Sequence, residues 1–503
     1  MLVVSPNRRC RKGEQGAALI ITVLIAFIVF LLVASWLITT TRRLRLISLE
    51  RDRLQAFYTA EAGINKALWY LKGNGDRNAS WRTQDEEGEE EPVEDTLFVG
   101  RADVARLSVQ DRGAFLGITS RGRARWATKE VSVTMGTELS GVFGPAVTVA
   151  SQTALVLDAG TEIVGNFQAR VPPVEMGGRI EGKKRIDGNV ALPPFDSSSL
   201  TSTAEKFRAM LGDASLADEE LFSPQIFDER NLPDFAGGKT IYVNDLVLIE
   251  GGEPDAPLII KGPGTIISIN EIQVSGTVRL LDQVTLVAQD EVRLLESAEL
   301  YDGMIYAGRK IGIREESQFR GQALTPGKIV VGEEATVHSP SVLFAGGGGD
   351  GQREGRIVVD GDAIVTASLL AMQASSGGGM FQGSQARGGA GRGTSWAASR
   401  GGQPGTSRQA EEEEATIYIG EDALVRGLVY TPASAEIRGT VRGAVAIGEF
   451  YSKALSSTPG HPMASTNRVV GATIDRGGLP ADFVAPFGFA GSQTLRLVSW
   501  IEL

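Results

Sequence analysis

The chain has 503 residues, 42% of them hydrophobic, and a formal net charge of −11. That length allows two or three domains with cores of their own, and the acidic balance works against nonspecific nucleic-acid binding, which needs cations to neutralise phosphates. A single cysteine, Cys10, and two histidines, His338 and His461, exclude a disulfide scaffold and leave little for a histidine-based triad or a histidine-rich metal site.

Four basic residues, Arg8, Arg9, Arg11 and Lys12, precede a stretch without charge from Gly16 to Thr41. Within it, "AALIITVLIAFIVFLLVASWL" (Ala17–Leu37) is too long for a signal-peptide core and, at about 1.5 Å per helical residue, spans a ~30 Å hydrocarbon core. Arg42, Arg43 and Arg45 follow. Both flanks are therefore basic, and charge alone does not orient the segment. Helical periodicity continues past the membrane edge in Leu54, Phe57, Ile64, Leu68 and Leu71, with Glu61 at the gap in that apolar stripe. Ala56, Ala60, Gly63 and Ala67 form a parallel stripe of small residues, which lets another backbone approach closely. That partner is either the chain's own downstream domain or a bundle of neighbouring subunits. Lys72-Gly73-Asn74-Gly75 ends the helix.

On "GAALIITVL" and the downstream element "AFYTAEAGI" (Ala56–Ile64), residues 16–68 resemble the PilX-type N-terminal domain of type IV pilus assembly proteins. The resemblance implies cleavage by a prepilin peptidase between Gly16 and Ala17, leaving residues 1–16 as a leader and 17–73 as a transmembrane assembly helix. It also implies a single-pass inner-membrane protein whose downstream domain faces outward. The helix would dock in a pilus or pseudopilus through Ala56, Phe57, Ala60, Glu61 and Gly63, with other pilin or pseudopilin subunits as partners. Pilins usually carry glutamate at the fifth mature position, where this chain has Ile21. That departure fits a minor, tip-located subunit better than a major pilin, because a tip subunit has nothing ahead of it to pair with.

Residues 74–95 contain "DEEGEEEPVED" and read as a solvated acidic linker. Residues 96–140 alternate apolar and polar residues around "QDRG" and "SRG", the pattern of a small antiparallel sheet. Arg121, Arg123 and Arg125 share one face of it, read as a solvent-facing row rather than an anion site.

From 141 to 478 a block recurs, as in "VRLLESAELYDGMIY" from Val292, "IGIREESQFRGQAL" from Ile311, "IVVGEEATVHSPSVLF" from Ile329 and "IYIGEDALVRGLVYT" from Ile417. Each block is two short strands with a corner, and stacked blocks bury a continuous core. The expected fold class is mostly β: a long N-terminal helix, a small antiparallel region, then a right-handed parallel β-helix with insertions. The rival architecture is a β-sandwich. "STAEKFRAMLG" predicts an inserted helix over 202–212 with a capping box of Ser202 and Glu205. Residues 346–355 and 374–414 are Gly-rich loops. Residues 479–503, with Phe483, Phe487, Phe489 and Trp500, are expected to cap the solenoid.

Acidic residues recur at the corners: Glu296, Glu315, Glu316, Glu333, Glu334, Asp360, Asp362, Glu421 and Asp422. A carboxylate pair can serve acid–base chemistry or hold Ca²⁺. A group repeated at every rung instead marks a solvent-facing corner, since a catalytic centre is one place. The sequence thus points to a non-enzymatic pilus assembly protein with no cofactor, no metal, no nucleic-acid partner and a β-helical domain for adhesion or partner binding. A membrane-anchored β-helical enzyme on surface polysaccharide and a bactofilin-like scaffold are the alternatives.

Overall fold

The computed structural model describes residues 12–74, 95–99, 103–112, 115–137, 143–232, 235, 238–253, 255–346, 355–372, 416–450, 468–469, 471–478, 483 and 495–502. The leader through residue 11, most of the acidic linker, most of both Gly-rich loops and His461 lie outside the described residues. The chain divides into two compact units, one built on the N-terminal helix and most of the small sheet, the other on residues 135–498 with the short piece Asp111–Leu116.

In the first unit, helix α1 runs unbroken over Lys12–Asn74, so it starts before Gly16 and ends one residue past the predicted stop. No proline interrupts it, and residues 17–37 are mostly leucine, isoleucine, valine and alanine, with few polar side chains to compete for the backbone. The Thr39, Thr40 and Thr41 hydroxyls donate to carbonyls four residues earlier without breaking it. The small sheet contains β1 (Asp95–Val99), β2 (Asp103–Arg112), β3 (Phe115–Ala124), β4 (Ala127–Thr137) and β5 (Leu495–Glu502), in that spatial order. β1 pairs antiparallel with β2. In β3, Gly122 and Ala124 are buried while Arg121 and Arg123, and Arg125 in the turn that follows, are exposed, which is the predicted solvent-facing row. Arg125 turns the β3–β4 hairpin at φ 47°, and the adjacent Trp126 is 88% exposed.

β5 corrects the last part of the expected cap, residues 495–502, while Phe487 and Phe489 lie outside the described residues. The last strand of the chain joins the small sheet beside β4, so the whole solenoid is an excursion between two neighbouring strands of that sheet. Of the predicted cap, Phe483 is buried with the outer apolar residues of the solenoid.

The second unit is a parallel solenoid with three faces. Face A stacks Thr240–Val243, Gly264–Ser268 and Val284–Ala288 in register. Face B stacks Val247–Gly251, Glu271–Gly276 and Glu291–Leu294, and face C stacks Leu258–Lys261 and Val278–Leu281. Alternate residues point inward, and Ile266, Leu286, Ile305, Ala323 and Leu343 line face A of one continuous core.

The rungs are not stacked in chain order. Val445–Ile447, near the end of the solenoid, pairs with Val147–Val149 at its beginning. Arg468–Val469 pairs with Val156–Leu157, and Thr473–Asp475 with Glu162–Val164. After the Lys184–Ile186 strand the chain travels back along the outside of face A and re-enters at the far end with Glu219–Leu221. The reason is apolar side chains on the outer surface of face A, including Tyr242, Ile267, Tyr306, Leu324 and Tyr430, which the returning segment covers. Helix α2 (Ser198–Gly212) buries Leu200 and Phe207 there. The Tyr430 hydroxyl donates to the Pro193 carbonyl at 3.0 Å, the Phe207 and Tyr306 rings lie 5.9 Å apart, and the Tyr242 hydroxyl donates to the Leu211 carbonyl at 2.9 Å. Burial pushes the Tyr430 hydroxyl pKa up to about 12. α2 starts a turn before the expected capping box: Asp196 accepts from the Ser198 backbone N–H at 2.9 Å, and Ser202 lies inside the helix.

Candidate functional site

Two features from the sequence qualify as sites, the assembly helix and the acidic corners. α1 has two zones. From Val23 to Leu54 its apolar side chains are exposed, with Phe30 at 66% and Trp36 at 69%. This is the one helix among the described residues long and apolar enough to cross a membrane. From Asp52 onward one face is buried: Asp52, Ala56, Thr59, Ala60, Gly63, Ile64 and Ala67. Phe57 and Glu61 are half-buried beside them.

The small-residue stripe has an internal partner. Gly122 of β3 lies against the α1 backbone, where an added Cβ would stand 2.5 Å from the Ala60 nitrogen and inside the Ala56 carbonyl oxygen. Ala56 and Ala60 are thus packed inside the subunit and are not open to a neighbouring one. Of the residues expected to assemble the helix, Phe57 and Glu61 keep partial exposure. A separate exposed row, Ile47, Leu54 and Tyr58, continues the apolar surface beyond Leu37. Gly16 and Ala17 lie within α1.

The acidic corners fall on one edge of the solenoid, between faces B and C. Glu296, Glu315, Glu333, Gly361 and Glu421 occupy equivalent places in successive rungs, each with a buried Ala or Ser two residues on: Ala298, Ser317, Ala335, Ala363 and Ala423. The corner is a left-handed turn. Glu296, Glu315 and Glu333 have φ 56°, 55° and 56°, and Gly361 has 62°. Glu316 and Glu334 also have positive φ, at 61° and 68°. The carboxylates are exposed and line an open hollow. Among the described residues no group of three or more His, Cys, Asp or Glu is placed to hold a metal ion. The Ca²⁺ reading therefore has no preformed ligand set here, and no carboxylate pair is set apart from the others in the row.

One cluster escaped the sequence reading. On face C, Gln318 Oε1 accepts from the Tyr301 hydroxyl at 2.7 Å and lies 3.1 Å from His338 Nε2. Arg320 donates to both Asp302 oxygens at 3.0 and 2.6 Å and sits over the Tyr301 ring. Burial, then the nearby Arg320, lowers the His338 pKa below 6.5. These residues meet because Tyr301 and Arg320 are register partners on adjacent rungs. The repeat itself is visible in the sequence blocks from Val292, Ile311 and Ile329; the grouping of these polar side chains on one face needs the register. Their polar atoms are spent on one another, which makes the cluster a brace across three rungs.

The comparisons with known proteins are sparse. No family model matches the chain, and no curated protein does. Among solved structures, the chain is similar to a pilin. That structure, the competence-associated pilin ComZ from Thermus thermophilus, is 10% identical over 90% of this chain and 97% of its own, with a TM-score of 0.19. An ice binding protein from an Antarctic Biological Consortium is 13% identical over 48% of this chain and 91% of its own, with a TM-score of 0.14. Likenesses this low carry no weight for either fold or function.

Proposed function

We propose that the chain is a pilin-like, PilX-type assembly protein, a minor subunit that enters a pilus or pseudopilus by α1 and displays its solenoid outside the inner membrane for adhesion or partner binding. The observation that supports it best is the division of labour along α1. One continuous helix has an exposed apolar first half suited to lipid or a helix bundle, and a second half packed on a small sheet of its own chain. The solenoid is then carried between two adjacent strands of that sheet, as a display domain on an anchoring unit. Prepilin peptidase, other pilin or pseudopilin subunits and the membrane are the partners of this reading, and its mechanism is assembly rather than catalysis. Ile21 in place of the usual glutamate favours a tip position, since an unpaired carboxylate in lipid is costly and a tip subunit has no partner for one.

N-terminal sequencing of the mature protein from membranes tests the proposal. A terminus at Ala17 is expected. A terminus at Met1 or Leu2, with the protein absent from sheared surface filaments, would remove the basis for it.

A further inference from the structure

Both ends of the solenoid finish in strands with one open edge. At one end Glu219–Leu221 pairs with Thr240–Val243, and Gln225–Phe227 with Val247–Ile249. At the other, Val174–Met176 pairs with Val156–Asp158, Arg179–Glu181 with Glu162–Val164, and Lys184–Ile186 with Phe167–Ala169. Among the described residues no further strand lies on the outer side of these five. Open edges are normally blunted, because they template pairing with another chain.

Here the blunting is one-sided. From Asp218 to Phe227 there are three acidic residues, Asp218, Glu219 and Glu220, and no basic one. From Val174 to Ile186, which holds all three strands of the other end, there are four basic residues, Arg179, Lys183, Lys184 and Arg185, against Glu175 and Glu181. Like ends repel and unlike ends attract. Each end also exposes apolar side chains: Phe222 (76%) and Ile226 at the acidic end, Met176 and Val174 at the basic end. Lys184–Ile186 and Glu219–Leu221 both terminate face A. Setting one solenoid on the next would therefore continue the same parallel ladder that every internal rung uses.

We propose that the solenoid associates head-to-tail with a second copy of this chain, through the Lys184–Ile186 edge of one copy and the Glu219–Leu221 edge of the next. Such a contact joins two different surfaces, so it propagates instead of closing as a two-fold dimer. Part of the charge is already engaged locally, by Arg179 with Glu162 and Glu181, Lys184 with Glu175, Arg185 with Asp187 and Lys239 with Glu219. The pairs at the basic end are largely exposed and exchange partners at little cost, whereas Lys239–Glu219 is half-buried. The inference concerns the second unit alone and holds whether or not α1 enters a pilus.

The test uses the full chain in detergent micelles, with association followed by sedimentation at low salt. Glu219→Lys/Glu220→Lys makes both ends basic, and Lys184→Glu/Arg185→Glu makes both ends acidic. Each variant alone should associate at least ~10-fold more weakly than the wild type, whereas an equimolar mixture should recover association, as charge complementarity requires. Circular dichroism of each variant checks that the solenoid remains folded. Independently, with Cys10 replaced by serine, chains carrying Arg185→Cys are mixed with chains carrying Glu220→Cys. Disulfides between unlike chains are expected. Wild-type-like association of both variants, which association through α1 alone would give, overturns the proposal. So does a mixture that stays apart, or a predominance of 185–185 or 220–220 disulfides.

Discussion

Gly122 and Ala60 touch backbone to backbone, so the α1–β3 contact has no room for even one carbon on the strand side. Gly122→Ala forces the helix off the sheet or distorts β3. Overpacking of this kind costs typically 1–3 kcal/mol. The expected result is a lowered melting temperature or increased protease sensitivity of the helix–sheet unit, with the solenoid transition unchanged. A substitution at the neighbouring exposed Arg121 to alanine should leave both transitions in place. Equal effects from the two substitutions would show that the contact is not tight.

The chain's final strand belongs to its first sheet, which gives a second prediction. Ending the chain before Leu495 removes β5 and leaves β4 with a bare edge. Limited proteolysis should then attack the small sheet while a fragment spanning roughly the solenoid stays resistant. If the last residues were instead a solenoid cap, the same truncation would open the solenoid and spare the sheet.

The sequence made some of this legible and hid the rest, for physical reasons. The membrane-length run in α1 and the small-residue stripe are local patterns, and burial of Ala56, Ala60 and Gly63 follows from them. The stripe says that a backbone comes close. It does not say whose, and Gly122 supplied the answer from some sixty residues away. The corners were readable because Glu315 and Glu333 repeat the same turn chemistry. Stacking order was not readable. The pairing of Val147 with Val445 joins the beginning of the solenoid to its late part, and no local pattern announces so distant a contact. The segment that then returns covers Tyr242, Tyr306 and Tyr430 on the outer surface of face A. The Tyr301–Gln318–His338 brace lies in blocks the sequence did show, but its polar side chains are seen to meet only once the register is known.

The corners allow a paired test of backbone strain. Glu315 and Gly361 occupy equivalent turns at φ 55° and 62°. A glutamate there bears the left-handed penalty that glycine does not. Glu315→Gly is expected to stabilise the solenoid by roughly 0.5–1 kcal/mol, the relief exceeding the added freedom of the unfolded chain. Gly361→Ala should destabilise it, the more so because the added Cβ would stand 3.2 Å from the Glu333 nitrogen. Thermal denaturation checks both signs. Loss of glycan turnover in Glu315→Gly at unchanged stability would revive the enzymatic reading of the corners.

Glu291 sets the last prediction. Burial by itself would raise its carboxyl, but hydrogen bonds from Arg293 and Lys310, at 2.9 and 2.7 Å, outweigh it and hold the pKa below the ordinary value of 4.5. A carboxylate with a lowered folded pKa contributes stability that is fully present above its unfolded value. That contribution is lost as the pH falls through the folded one. Solenoid stability should therefore be flat in this group's contribution above about pH 5 and fall below pH 4.5. Glu291→Gln keeps the shape but removes the charge that Arg293 and Lys310 share. It should cost about 1.5–3 kcal/mol at neutral pH, as expected for hydrogen bonds to a charged group. It should also flatten the acid limb of the stability curve. Denaturant titrations of both proteins at pH 7 and pH 3.5 read this directly. The two should differ clearly at pH 7 and converge in acid, and a difference that persists undiminished at pH 3.5 would place the effect of the substitution in packing rather than charge.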